Sequence, residues 1–414
     1  MDEARQSVAV TGLGIVSPIG VGHERFWNAL CAGASGIRPR EAVTGTLPRQ
    51  AAQVVEPPPR ERITSAPLRR ADALSRSVVS AARLALADAR FEPALAPERV
   101  GVVVGSAVGN VAESVQYLER LFTKGPSLAS PMLFPNLVMN APASYVAMQV
   151  GCTGANLTVS QGETSGEQAI ALGCDLIRTG RAEVVLAGGG DALTEMVITG
   201  YRDYRALSAQ RGGPEWCSPY DVQRNGIILG EGAAMLALEP LPQARQRGAT
   251  IYAEITDYAG FAVPAHPYDW PARAPSAARH LEQLLRRCVP AGPGNGAGID
   301  LVCGGANSSR RLDACELDVL VRLFGEAAAG VALTSIKGAI GEFGAAGALT
   351  AVATCLAVRD GIVPPLCHLR QAPPEAPFQF ARAVAVPRTV QRALVLSMAR
   401  GGAVMALIFE RPSP

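Results

Sequence analysis

The chain has 414 residues, 48% of them hydrophobic and 18% charged, with a formal net charge of +2. That is too long for one ordinary domain, apolar enough for a large core, and too evenly charged for an electrostatic nucleic-acid or acidic-membrane surface. The polar start Met1–Gln6 and the glycine-broken, Pro18-broken run after Ser7 argue against a signal peptide or a spanning helix, so a cytoplasmic protein is expected. The nine cysteines are odd in number, scattered and never spaced CxxC, and His23, His266, His280 and His368 lie far apart. Neither a disulfide framework nor a metal cluster is expected.

In chain order, Val8 to Thr11 predicts a short buried strand running into the glycine turns of Gly12 to Gly20. Gly12 and Gly14 fit a dinucleotide fingerprint, but Ser17 stands where its third glycine belongs and no helix opens behind it, so no cofactor is expected. Phe26 to Cys31 is a short amphipathic helix, and Ile37 to Pro67 an irregular surface excursion. Ala71 to Ala89 has helical spacing, and Val100 to Gly105 is a strand apolar on both faces. Val111 to Phe122 is helical, with Val111, Val115, Leu118 and Phe122 as a core-facing stripe that could equally line a cavity. Ser130 to Pro135 (SPMLFP) is a rigid apolar turn and Ala141 to Val150 a helix.

Asn156 to Ile170, NLTVSQGETSGEQAI, runs from a β-branched strand through a tight elbow into a helix over Glu167 to Arg178. Such an elbow sets one side chain at a helix N-terminus, where unpaired N–H groups and the dipole favour a nucleophilic anion or an oxyanion. Glu163 holds that place. The plainer reading is a strand-to-helix turn with an acidic first-turn residue.

Val184 to Gly190 is a second buried strand, Arg205 to Gly213 a loop, and Ile227 to Leu238 a strand interrupted at Gly230 and Gly232. From Thr250 the alternation begins again. Strands are expected over 251–258, 301–303, 331–334, 393–397 and 403–409, with helices over 276–288, 314–324 and 345–359. The order of elements in residues 1–249 returns in 250–414, which suggests duplicated α/β halves in one compact unit, with Pro290 to Gly298 a loop inside the second half.

Seven collinear segments resemble the β-ketoacyl-acyl-carrier-protein synthase family: VAVTGLGIVSPIG, NLTVS, EVVLAGGGDA, RALS, PYDVQRNGIILGEGAAMLALE, TSIKGAIGEFGAAGA and ARGGAVMALIFE. The resemblance covers about residues 7 to 410. It implies an α/β thiolase-type fold, two αβαβα halves sharing a five-layered core, and a dimer whose sheets join across its axis.

The family's chemistry uses a cysteine at the elbow to carry the acyl chain and two histidines to promote decarboxylation and hold the enolate oxygen. Aligned by motif, the cysteine's place is held by Glu163, the first histidine's by Gly305 and the second histidine's, five residues after Lys337, by Glu342. The gating Phe-Gly-Phe-Gly-Gly motif falls on Met398 to Gly402. The chain is thus similar to the chain-length factor, the inactive half of type II polyketide synthase ketosynthase heterodimers, although those commonly carry glutamine where Glu163 stands.

The resemblance implies two partners, a catalytic ketosynthase subunit and an acyl carrier protein bearing the growing chain. It also implies tunnel residues at Ser114, Leu118, Met132, Leu133, Tyr201 and Met398. A decarboxylase using Glu163 as base and a purely structural homodimer are the alternatives. Two carboxylates in one buried pocket would repel and lose hydration, so Glu163 is expected to make a charged contact with Arg400 or Lys337. Otherwise Glu163 caps its own helix and Glu342 turns to backbone N–H groups.

Overall fold

Ten apolar stretches form the main strands of one sheet: β1 (Val8–Ser17), β2 (Val100–Gly105), β3 (Asn156–Val159), β4 (Val184–Asp191), β5 (Gly232–Pro240), β6 (Ala253–Ala262), β7 (Leu301–Cys303), β8 (Ala332–Thr334), β9 (Arg392–Met398) and β10 (Ala403–Glu410). The structure is a computed structural model that describes residues 7–40, 48–55, 70–92, 96–288 and 298–413. The N-terminal Met1–Gln6, much of the expected excursion before Pro67, and nearly all of the expected loop before Gly298 lie outside the described residues.

The strand order is β8-β7-β9-β10-β6-β1-β5-β4-β2-β3. Read outward from the middle, β1-β5-β4-β2-β3 and β6-β10-β9-β7-β8 have the same order, and each strand of the first set matches the one five places later in the chain. The pairing directions match too: two antiparallel steps and then two parallel steps on each side. The two sets join only where Val8 to Val10 meets Ala253 to Ile255.

The helices used below are α1 (His23–Cys31), α2 (Ala73–Ala89), α3 (Val111–Lys124), α4 (Ala141–Val150), α5 (Ser165–Arg178), α6 (Glu195–Asp203), α7 (Pro275–Cys288), α8 (Arg310–Phe324) and α9 (Ala346–Asp360). Both α5 and α9 sit between the half-sheets, and every residue of α9 from Ala346 to Val358 is buried. Outside them, α2 and α4 cover the first half-sheet while α7 and α8 cover the second. The result is five layers, αβαβα, with the largest apolar cluster in the central helical layer.

Several elements differ from the sequence reading. Strand β1 runs to Ser17 because Gly12 and Gly14 lie in it, not in turns: a Cβ on Gly14 would stand 1.8 Å from the Ala81 carbonyl, so α2 can press onto the strand only there. The stretch Ile227 to Glu231 is not in β5. It makes isolated bridges, and Gly230 and Ile228 exchange backbone hydrogen bonds with Glu342. The expected surface excursion holds a small hairpin of Ile37–Pro39 and Gln50–Ala52.

The α3 stripe does not face the core. No residue of α3 is buried, and Leu118 and Phe122 are 45% and 80% exposed, because nothing among the described residues covers that face. Helix α6 was missed because Val197, Ile198, Thr199 and Gly200 are poor helix formers; its signal is Thr194, whose side chain accepts from the Val197 N–H at 3.2 Å. Among the described residues no helix is long and apolar enough to cross a membrane.

In the central layer α5 and α9 approach closely, with Gly166 against the Ala345 and Ala348 backbone. A Cβ on Gly347 would lie 1.8 Å from the Glu167 carboxyl carbon, so α9 leaves a notch for that buried side chain. Gly347→Ala is therefore expected to destabilise the fold by about 1–3 kcal/mol through overpacking. With Glu167→Ala in the same chain the loss should shrink well below the sum of the single effects, as a double-mutant cycle of urea midpoints would read.

Candidate functional site

The elbow between β3 and α5 closes on itself. Ser165 Oγ accepts from the Gln161 N–H at 2.9 Å and donates to the Gly162 carbonyl at 2.7 Å, while Thr164 Oγ1 donates to the Gln161 carbonyl at 2.8 Å. Gly162 turns the chain at φ 58. These bonds aim Glu163, 3% exposed, into the molecule at the N-terminus of α5.

Glu163 is saturated with donors. Its Oε1 accepts from Arg400 Nε at 2.7 Å and from the Tyr201 hydroxyl at 3.2 Å, and its Oε2 accepts from the Arg400 backbone N–H at 3.1 Å. The guanidinium in turn lies against three rings, with its carbon 4.2 Å from the centre of Tyr201, 5.5 Å from Tyr204 and 5.7 Å from Trp270. Each ring adds cation–π attraction to the ion pair. Arg400 is thus a cation held in an aromatic cage.

Glu342 has its own cation. Lys337 Nζ stands 3.1 and 2.9 Å from its two oxygens, and Asn307 Nδ2 donates to Oε2 at 2.5 Å. Burial works to lower the Lys337 ammonium, but Glu342 outweighs it through charge and hydrogen bond and holds it above its usual value. Arg400 does not bridge the two carboxylates; each has a separate partner. At Gly305 the N–H donates 2.9 Å to Glu316 Oε2, and the Ala306 N–H donates 3.2 Å to Oε1. A Cβ at Gly305 would sit 3.1 Å from the Ser397 Cα and 3.3 Å from Glu316 Oε2, so a side chain there has little room.

A third acid was not singled out from the sequence. Glu167 is fully buried on α5; its Oε1 accepts from the Ser397 hydroxyl, and Oε2 has no partner among the described residues. Burial pushes its carboxyl above the ordinary range. No histidine among the described residues bonds to any of these acids. Cys217, whose thiol lies 3.6 Å from the carbonyls of Asn307 and Lys337, is held protonated by burial. Burial likewise raises the other eight thiols.

The sequence-derived tunnel residues separate into two groups. Tyr201 is in the Glu163 pocket, and Met398, just ahead of Arg400 in sequence, is buried in the same core cluster. Ser114, Leu118, Met132 and Leu133 lie on the face that the described residues leave uncovered. There Met132 helps line a groove of about 490 Å³ with Pro131, Pro135, Val138, Tyr145 and Met148.

A duplicated five-layer fold with a buried elbow at the head of a central helix defines the thiolase-type class of acyl-transfer proteins. The model of the beta-ketoacyl synthase N-terminal domain matches residues 5–244, and that of its C-terminal domain matches residues 252–370. The chain belongs to the beta-ketoacyl synthase family. It is 31% identical to the tetracenomycin polyketide synthase ketoacyl synthase alpha subunit of Streptomyces glaucescens, over 99% of this chain and 98% of that one. It is 33% identical to 3-oxoacyl-[acyl-carrier-protein] synthase 2 of Rhizobium meliloti, over 98% of each. Among solved structures it resembles the ishigamide ketosynthase/chain length factor, with a TM-score of 0.90 and 28% identity over 99% of this chain and 100% of that one. It also resembles a type II polyketide synthase acyl carrier protein in complex with its ketosynthase bound to the hexaketide, with a TM-score of 0.88 and 26% identity over 99% and 100%.

Two outcomes follow from the site. Arg400→Ala strands Glu163 in a buried pocket and should cost roughly 3–5 kcal/mol, with the lower end favoured because the guanidinium is partly exposed; Glu163→Ala added to it should recover part of that loss in chemical denaturation. Burial also pushes Asp191 and Asp313 up to about 6 and Glu316 up to about 7. A carboxyl that holds its proton more tightly folded than unfolded stabilises the fold below its unfolded pKa, and that contribution is lost as pH rises through the folded value. At about 1.4 kcal/mol per unit, Glu316 alone carries about 3 kcal/mol. The urea midpoint should therefore fall as pH is raised from about 5 to about 7.5, and Glu316→Gln should remove part of that slope.

Proposed function

We propose that this chain is the non-catalytic, chain-length-determining subunit of a type II polyketide synthase ketosynthase pair. The observation that carries this reading is Glu163, which stands in the cysteine's place and is locked by Arg400 inside three aromatic rings. A carboxylate so bound has no route to a productive thioester, and neither histidine position holds an imidazole. Use of Glu163 as a decarboxylase base is disfavoured, because both its oxygens already accept hydrogen bonds from Arg400 and one also accepts from Tyr201.

In this reading a catalytic ketosynthase subunit covers the open face formed by α3, the Ser130–Pro135 turn and the edge strand β3, and an acyl carrier protein delivers the growing chain to that partner. Val115, Leu118, Phe122, Met132, Phe134 and Leu157 are exposed apolar side chains on those elements. Obligate interfaces bury on the order of 2,000–5,000 Å² and are rich in such groups. Ser114, Leu118, Met132 and Leu133 would then meet the end of the acyl chain, with Tyr201 and Met398 deeper in.

The test is co-expression with a ketosynthase that has intact cysteine and histidines, followed by intact mass after incubation with acyl carrier thioester. The acyl adduct is expected on the partner and none on this chain, even after Glu163→Cys, because Arg400 and the crowded Gly305 position remain. An adduct on this unmodified chain alone overturns the reading. In the reconstituted pair, Ser114→Phe should shorten the product, whereas Leu118→Ala or Leu133→Ala should lengthen or blur it; a uniform loss of turnover at unchanged product length counts against the tunnel assignment.

A further inference from the structure

A second pocket lies away from the open face and outside the Glu163 site. It has a volume of about 420 Å³ and is lined by Ile37, Gln50, Trp216, His368, Arg370 and Arg382, among others. Sites for small molecules span roughly 300–1,000 Å³.

Its charge is one-sided. The Arg370 guanidinium carbon stands 4.5 Å over the Trp216 ring, which positions the group and leaves its N–H donors unpaired among the described residues. Arg382 has no side-chain partner there either. Elsewhere in the molecule Arg40, Arg247, Arg287 and Arg392 each have a carboxylate. Among the described residues, the acids near this pocket face other ways. Glu215 accepts the backbone N–H groups of Arg49 and Gln50, each at 3.0 Å, and the buried Asp221 accepts those of Arg370 and Gln371 at 2.8 and 3.0 Å.

The walls are fixed before any ligand arrives. Asp221 clamps the 370–371 backbone, Ser218 Oγ donates to the His368 carbonyl at 2.8 Å, and Ser208 Oγ donates to the Trp216 carbonyl at 2.9 Å. His368 is held at φ 68, a backbone conformation that non-glycine residues seldom adopt. Its Nδ1 lies 2.8 Å from the Cys217 carbonyl, so Nδ1 carries the hydrogen and that contact fixes the ring.

We propose that this pocket binds a phosphorylated small molecule, with its phosphate on Arg370 and Arg382 and its organic part against Trp216, Ile37 and Leu369. Two guanidiniums match a phosphate dianion better than a single carboxylate, and guanidinium forks fit phosphate oxygens in pairs. The volume exceeds what inorganic phosphate fills, and the tryptophan and aliphatic wall call for an organic group.

The test is calorimetric titration of the whole chain with ADP, pyrophosphate and malonate at matched low ionic strength. ADP is expected to bind with Kd below about 1 mM, pyrophosphate more weakly and malonate not measurably. Arg370→Ala and Arg382→Ala should each weaken ADP about tenfold or more, whereas Arg273→Ala, a surface arginine elsewhere, should leave it unchanged. Circular dichroism and the melting temperature without ligand check that each variant is folded. No ADP binding up to about 10 mM, equal binding of malonate, or equal losses in all three variants overturns the proposal. The outcome is independent of whether the chain is catalytic.

Discussion

Everything in the site depends on how closely α5 and α9 approach between the two half-sheets. Gly166 and Gly347 let the helices touch, and the approach brings the residues just ahead of each helix, Glu163 and Glu342, into one buried region. Two helix N-termini there favour anions, but each supplies only about 0.3–2 kcal/mol, less than the several kcal/mol lost when a carboxylate leaves water. A cation for each acid is therefore required, and Arg400 and Lys337 supply them. The same geometry that would activate a thiol at the elbow makes a carboxylate there a demand for counter-charge.

How much of this was legible in the sequence depends on range. Local apolar runs gave β2, β4 and β7 nearly to the residue, and the elbow was visible because a β-branched strand, a glycine and a helical pattern follow one another within fifteen positions. Local patterns failed where a neighbour overrides them. Glycines in β1 read as turns, although they are what lets α2 seat on the strand. The α3 stripe read as core because periodicity shows that a face is apolar without showing what covers it. Ile227 to Glu231 read as strand, although its backbone meets Leu207, Ala52 and Glu342 only through isolated bridges.

The site shows the same division. Motif alignment picked out Glu163, Gly305 and Glu342, and charge reasoning picked out Arg400 and Lys337, since each lies within a recognisable segment. The cage was beyond reach, because Tyr201 and Tyr204 at the end of α6 and Trp270 in a later loop share no spacing with position 400. Glu167 was hidden for another reason: an acid in the first turn of a helix is ordinary on sequence grounds, and only its full burial against Gly347 and Ser397 marks it as unusual.

The depth at which this chain keeps its cysteines has a practical side. Even the half-buried Cys31 has its thiol pushed up to about 11 by burial, from an ordinary value of 9.0. That corresponds to about a hundredfold less thiolate at neutral pH, and thiolate is the form that alkylating and oxidising agents attack. With nine thiols the polypeptide is nonetheless a quiet background for cysteine chemistry. In any mixture that contains it, an electrophilic label reports the reactive thiols of its neighbours.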